Sequence, residues 1–235
     1  MTRTYLITGS ASGIGAATAS LLTSRGHRVI GVDLKDADIT ADLTTAEGRE
    51  HLVARARELS GGRLDGVLAN AGISAPIAAT VQVNFFGAVA TLEGLRPLLL
   101  ESDAPRAAVT ASMASLQPAD DELLAALLDA DEPAAVTRGK ALEEAGPQAG
   151  YLNYSTSKQA IARWVRRNAP TPEWAGAGNP LNAIAPGVVI SPMTEQLTSS
   201  PEGRAQLEEQ VPMPLNGWMP AESAAELLAW LTSPA

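Results

Sequence analysis

The sequence predicts an α/β fold in which helices cover both faces of a doubly wound parallel sheet, and three observations predict it. Short apolar runs alternate with helix-length stretches through the N-terminal half. A glycine-rich turn, Thr8-Gly9-Ser10-Ala11-Ser12-Gly13-Ile14-Gly15, joins the first run to the first helical stretch. The second run, Val29-Ile30-Gly31-Val32-Asp33, is almost wholly apolar, as a strand buried on both faces requires.

Each element follows in order. Residues 5–8 read as the first strand and 14–25 as a helix stopped by Gly26. The second strand, 29–33, precedes a helix over 45–59 that Gly61-Gly62 ends. A buried strand over 64–69, a long helix over 81–100 and a strand over 107–111 come next. Residues 151–168 form a helix, a Pro/Gly-rich loop leads to a strand over 181–185, and the last helix covers 221–231. Two segments break the rhythm. Eight residues separate Asp33 from Asp42, too few for a crossover with its own helix. Residues 118–150, rich in Ala, Leu, Asp and Glu, read as two amphipathic helices divided by Pro133, an insert packed on a single domain spanning 1–235. Residues 191–219 carry Met193, Met213, Leu215, Trp218 and Met219 among prolines and read as an apolar lid.

Composition narrows the function. A chain of 235 residues supports one full core, and a net charge of −9 leaves nothing to neutralise a row of phosphates, so no nucleic-acid partner is expected. No apolar run is long enough to span a membrane, so no membrane partner is expected. With no cysteine and no signal-peptide pattern the expected location is cytoplasmic. His27 and His51 stand far apart without ligand-like spacing, so no metal is expected.

The glycine turn is a phosphate site in waiting. Gly9 permits a tight turn, Gly13 lets the backbone approach a pyrophosphate, and Gly15 allows helix and strand to touch. Ser12 and Ile14 lie within the turn, whose N–H groups at the helix start would face an anion. Asp33 ends the second strand, where a carboxylate can accept the hydroxyls of an adenosine ribose and repel a 2′-phosphate. Lys35, the one nearby cation, reads more simply as a solvated loop lysine, so the expected cofactor is NAD. Asp42-Leu43 either meets the adenine edge or serves as a helix cap before Thr45. Asn70-Ala71-Gly72 ends the following strand beside the same ligand.

Tyr154-Ser155-Thr156-Ser157-Lys158 puts a phenol and an ammonium four residues apart on one helix face. A phenol near its ordinary pKa is a poor base at neutral pH, and an adjacent cation favours the phenolate. The same spacing is common on solvated helix surfaces, so the pair gains meaning only beside the other motifs.

Taken together, Gly9 to Gly15, Asn70-Ala71-Gly72, Val83-Asn84-Phe85-Phe86-Gly87, Ser112, Tyr154 with Lys158, and Pro186-Gly187 resemble the short-chain dehydrogenase/reductase family over nearly the whole chain. The resemblance implies a Rossmann-type doubly wound parallel sheet with a helical insertion before the catalytic helix. It implies Tyr154 as general acid/base and Lys158 as the residue that orients the ribose and lowers the Tyr154 pKa. Ser112 would bond the substrate oxygen, with Met113, Tyr154 and Met193 as further substrate contacts. Asn84 would hold a water that links Lys158 to solvent; its alternative is purely local bonding. Pro186-Gly187-Val188 would line the nicotinamide, with Ser191 where the family often carries a carboxamide-binding threonine.

The chain also departs from the family. Ser112 and Tyr154 lie 42 residues apart, against about a dozen usually, and the insert accounts for the difference. That insert and the short 33–42 connection resemble the bacterial 3α-hydroxysteroid dehydrogenase/carbonyl reductase branch, which implies a homo-oligomer, a dimer rather than a tetramer. The chain stops where the family adds a final strand, so a sheet lacking its last strand is expected. The expected activity is hydride transfer between NAD(H) and a small-molecule secondary alcohol or ketone. A bulky apolar substrate such as a steroid or cyclic ketone leads; small aliphatic or aryl ketones come second. A non-catalytic NAD sensor on the same fold stands third.

Overall fold

The structure, a computed structural model, describes residues 2–234. Six parallel strands form the central sheet: β1 (Thr4–Thr8), β2 (Arg28–Asp33), β3 (Ile39–Thr40), β4 (Gly66–Ala69), β5 (Arg106–Thr110) and β6 (Leu181–Ile184), in the spatial order β3-β2-β1-β4-β5-β6. The chain starts at the centre, winds outward to β3, then returns past β1 and winds the other way. Where β1 and β4 part company their C-terminal ends open a crevice, the place such sheets bind ligands.

The two faces follow from a period of two along each strand. Leu6, Val67 and Ala107 turn to one face and join Leu92, Leu95 and Ile161. Tyr5, Ile7, Leu68 and Ala108 turn to the other and join Leu22 and Leu228. That second face is covered by α1 (Gly13–Ser24) and α11 (Ala221–Leu231). The first is covered by α2 (Ala46–Ser60), by the helix completed by α4 (Ala88–Leu99), and by α8 (Leu152–Asn168). Burial of these apolar faces, at about 25 cal/mol per Å², is the main force holding the layers together.

The short connection after Asp33 holds no helix, as its length requires, and contains β3, whose Ile39 and Thr40 pair with Val32 and Asp33. Asp38 steadies it by accepting the Gly31 N–H at 2.8 Å. Two other local readings need correction. The stretch read as one long helix is α3 (Ala79–Val81), a π-helical turn over Gln82–Gly87, and α4. Pro133 does not divide the insert. It lies in the first turn of α6 (Glu132–Glu144), where its missing N–H has no intrahelical partner to lose. The divider is the turn before it, with Ala130 at φ 57°.

The insert comprises α5 (Asp121–Leu128), α6 and α7 (Pro147–Gly150). Asp120 caps α5 through the Leu123 N–H and Asp131 caps α6 through the Ala134 N–H. Its Leu123, Leu127 and Ala135 are fully buried in the main core. Beyond β6, the pairing of β7 (Val189–Ile190) with β8 (Met219–Pro220) fastens the two ends of the lid segment, which carries α9 (Glu195–Thr198) and α10 (Pro201–Gln210). Among the described residues β6 pairs only with β5 and is one edge of the sheet, β3 being the other, and no helix is long and apolar enough to cross a membrane.

Candidate active site

The glycine turn has the geometry a pyrophosphate needs. Gly9 and Gly13 take φ values of +70° and +52°, which side chains disfavour. A Cβ on Gly15 would lie 1.9 Å from the Gly9 carbonyl oxygen, so helix α1 can start only with glycine there. Ser12 is the N-cap residue of α1 yet spends no side-chain bond on the cap. Its hydroxyl is therefore available to an anion at the helix start. Asp33 braces the turn from β2: one carboxylate oxygen accepts the Ala11 N–H at 2.9 Å and the other the Leu34 N–H at 2.7 Å.

Behind the turn, Thr8 and Thr110, which the sequence alone does not single out, tie the strand ends together through Asn70. The Thr8 hydroxyl accepts both the Asn70 and the Ala71 N–H at 3.0 Å. Asn70 Oδ1 in turn accepts the Thr110 hydroxyl at 3.0 Å. A threonine ending a parallel strand was the available signal, but it is too common to stand out.

A cleft of about 420 Å³ opens above these strand ends. Gly9, Ser12, Gly13, Ile14, Asp33, Asp42 and Leu43 line it, as do Asn70, Ala71 and Gly72. The same cleft takes in Ser112, Tyr154, Lys158, Pro186, Gly187, Ser191 and Met193, so the turn and the Tyr/Lys pair share one space. Gly15, Asn84, Met113 and Val188 are not on its wall. Asp42 is no helix cap: Thr45 caps α2 through the Gly48 N–H at 3.0 Å, while Asp42 accepts the Thr44 N–H and hydroxyl. Thr194, which the sequence reading did not select, lines the cleft and fixes the Ser191 region by donating to the Val189 carbonyl at 2.6 Å. Among the described residues lining the cleft Lys158 is the single cation, and among the described residues no cluster of metal-ligating side chains occurs. A dinucleotide fits this donor set: backbone N–H groups and the Ser12 hydroxyl for phosphates, a carboxylate for a ribose, and an ammonium at the far motif.

Helix α8 delivers the pair. Lys158 is buried, with Nζ donating to the Thr110 carbonyl at 2.8 Å and lying 6.0 Å from the centre of the Tyr154 ring. Burial lowers the lysine pKa to about 8. The Tyr154 phenol is raised, not lowered: burial dominates, partly opposed by a hydrogen bond with Ser112, while Tyr151 pushes it further up. The expected lowering by Lys158 is not what this fold supplies on its own. Ser112 Oγ accepts the Ala114 N–H at 3.1 Å, capping the 3₁₀ turn Met113–Leu116, which leaves its proton to donate. Met113 ties that turn to the Pro186-Gly187 motif by donating its N–H to the Pro186 carbonyl at 2.9 Å. Asn84 is spent locally. Its Oδ1 accepts the Ile73 N–H at 2.9 Å, and its Nδ2 donates to the Ile73 carbonyl and to Ser157.

The doubly wound sheet, the braced glycine turn and a serine–tyrosine–lysine set in one cleft define a dinucleotide-linked oxidoreductase. Comparison with known proteins makes the class specific. Residues 3–122 match the family model described as short chain dehydrogenase. The 3-alpha-hydroxysteroid dehydrogenase/carbonyl reductase of Comamonas testosteroni is 36% identical over 98% of this chain and 89% of its own length. The cis-4-hydroxycyclohexanecarboxylate dehydrogenase of Sinomonas cyclohexanicum is 30% identical over 99% and 90%. The crystal structure of the 3-alpha-hydroxysteroid dehydrogenase from Pseudomonas sp. B-0831, complexed with NADH, superposes with a TM-score of 0.88 at 38% identity, covering 98% of this chain and 90% of that one. The chain belongs to the short-chain dehydrogenase/reductase family and is an oxidoreductase acting on CH–OH groups.

Proposed function

We propose that the protein interconverts a bulky, apolar secondary alcohol and its ketone, with a steroid or cyclic ketone as substrate and NAD(H) as cofactor. The observation that carries the reading is the meeting of Ser112, Tyr154 and Lys158 with the braced Asp33 in a single cleft. A bound nicotinamide supplies the hydride acceptor or donor. The chain supplies the rest. Ser112, whose proton otherwise goes to the Tyr154 oxygen, donates it to the substrate oxygen, and Tyr154 gives that oxygen a proton in reduction and takes it in oxidation. Lys158 has donors left over after Thr110 and would hold the nicotinamide ribose. With an oxidised nicotinamide bound, its positive charge and that of Lys158 together would favour the phenolate that oxidation needs.

Asn84 Oδ1 and Lys158 Nζ both lie beside Gly72, where an added Cβ would sit 3.1 Å and 3.4 Å from them. That proximity supports a water between Lys158 and the locally bonded Asn84 as the first step of a proton route to solvent. Two observations support an apolar substrate: Met193 lines the cleft while 48% exposed, and the lid around it is rich in methionine and proline. The relatives named for a hydroxysteroid and a hydroxycyclohexane substrate point the same way. Preference for NAD(H) rests on Asp33, since a 2′-phosphate beside that carboxylate would be repelled, and Lys158, the single cation among the described residues lining the cleft, belongs to the Tyr154 end. A cytoplasmic, dimeric enzyme completes the reading.

The test is turnover of a ketone panel graded from small aliphatic to steroidal, with NADH and with NADPH. Cyclic and steroidal ketones are expected to show the higher kcat/KM, with NADH favoured. Faster turnover of small aliphatic ketones would overturn the substrate reading, and tighter NADPH binding would overturn the role of Asp33.

A further inference from the structure

The insert of α5, α6 and α7 lends no residue to the cleft lining; besides its Glu132–Arg49 ion pair to α2, it bonds to two segments that border the cleft. One is the start of α8. Asn153, immediately before Tyr154, is fully buried, and its Nδ2 donates to the Gly139 carbonyl of α6 at 3.0 Å. Ser155, immediately after Tyr154, donates to the Pro118 carbonyl at 2.6 Å, and Thr156 accepts the Asp120 N–H at 2.9 Å. The other is the segment 73–78, which leaves the cleft wall at Ile73. Glu143 of α6 accepts the Ala78 N–H at 2.9 Å.

Glycines mark where the parts touch. A Cβ on Gly139 would come 2.9 Å from Asn153 Oδ1 and 3.3 Å from Ala78 Cβ, so α6, α8 and the 73–78 segment meet at that point. A Cβ on Gly150 would lie 2.5 Å from the Pro76 carbonyl oxygen, so the end of the insert presses on the same segment. Within the insert Arg138 grips Asp120 through two bonds of 3.0 Å and 2.6 Å, locking α6 to the residue that caps α5.

The 73–78 segment is thus pinned at both ends, by Asn84 on Ile73 and by Glu143 on Ala78. Between them Thr80 donates to the Ala75 carbonyl at 2.8 Å. We propose that the insert is a buttress for the reaction site, with Gly139, Glu143 and Asn153 as positioning residues that hold the 73–78 wall against the tyrosine-bearing end of α8 and so set substrate binding. The bond from Glu143 is charge-assisted, a kind stronger than a neutral pair. Glu143 is exposed, so replacing it leaves the core intact. The inference rests on the ketone reading above, and the experiment below separates the two.

Glu143→Ala and Glu143→Gln are compared with wild type for ketone KM, NADH KM, kcat, and hydrogen exchange over residues 73–80. The alanine variant is expected to raise ketone KM about three- to tenfold, the range one such bond can carry on a partly exposed segment. NADH KM stays unchanged, and exchange at Ala78 accelerates. The glutamine variant, whose amide oxygen still accepts the Ala78 N–H, restores both. An unchanged ketone KM in Glu143→Ala overturns the proposal, as does a glutamine variant that behaves like alanine or an NADH KM that rises in parallel. If wild type turned over no ketone, the functional reading would fall, while the exchange arm would still decide whether Glu143 holds the segment.

Discussion

Lys158 is a site residue whose chemistry works against the fold, and that conflict has a measurable size. The side chain is 4% exposed with a single bond to the Thr110 carbonyl. Its pKa falls from the ordinary 10.5 to about 8. At 1.36 kcal/mol per pKa unit, holding the cation in the fold costs about 3 kcal/mol at neutral pH. The sign is fixed by proton counting. Below about 8 both folded and unfolded chains carry the proton and the cost is full; between about 8 and 10.5 the unfolded chain binds more protons, so stability rises with pH. Replacing the lysine with a neutral side chain of similar length, Lys158→Met, removes the cost and gives up a hydrogen bond worth about 1 kcal/mol. The net gain at pH 7 is about 2 kcal/mol, which for a chain of this length raises Tm by about 4 to 8 °C. Catalysis should fall sharply in the same variant, because the ribose anchor and the phenolate's counter-charge go together. The assay is thermal and urea unfolding of the cofactor-free protein at pH 7 and at about pH 10. A variant less stable than wild type at pH 7, or a stability difference that does not shrink at the higher pH, would refute the reasoning.

Other perturbations separate the remaining parts of the site. Tyr154→Phe should lower kcat by about 10² to 10⁴ without changing Tm, and Ser112→Ala by about 10²; near-wild-type rates in either would remove that residue from the proton path. Because burial raises the Tyr154 phenol, alcohol oxidation, which needs the phenolate, should accelerate with rising pH while ketone reduction slows, and a pH-independent oxidation rate would contradict the assignment. Gly15→Ala forces a Cβ to within 1.9 Å of the Gly9 oxygen. It should destabilise the fold by about 3 kcal/mol and abolish NADH binding in a calorimetric titration, and a variant that still binds would show that the turn is not the phosphate site.

The legible parts of the sequence were those where one local pattern decides the outcome. The apolar runs became β1, β2, β4 and β5 because burial on both faces leaves no other use for them. Gly9, Gly13 and Gly15 announced a turn that no other residues can make. The segment around β3 was hidden because Ile39–Thr40 is too short to show a period, and its place is set by pairing with Val32 and Asp33. The π-helical turn over Gln82–Gly87 was hidden because one extra residue per turn barely disturbs an apolar stripe. The β7–β8 pair includes Pro220, a residue sequence rules place outside strands, tolerated here at the end of a two-residue strand. For the site, Tyr154, Lys158 and Ser112 were legible as motif positions. Their electrostatics were not, because the direction of the Tyr154 shift depends on burial that only the packed chain creates.

One consequence of the packing joins what the motifs left separate. Thr8, at the end of β1, holds the first residues after β4 through two N–H groups, and Asn70 among these accepts the hydroxyl of Thr110 at the end of β5. The carbonyl of that same Thr110 takes the proton-bearing Nζ of Lys158. A path of hydrogen bonds therefore runs across the C-terminal ends of three adjacent strands, from the end of β1 beside the glycine turn to Lys158 on α8. The path crosses the short stretch Asn70–Ala71 after β4, which Thr8 holds by two N–H groups, so a displacement at the turn is passed on toward Lys158. The glycine turn and the Lys158 end of the cleft are thereby linked through neighbouring strands, which stand about 4.7 to 4.9 Å apart, and the link does not pass through the lid.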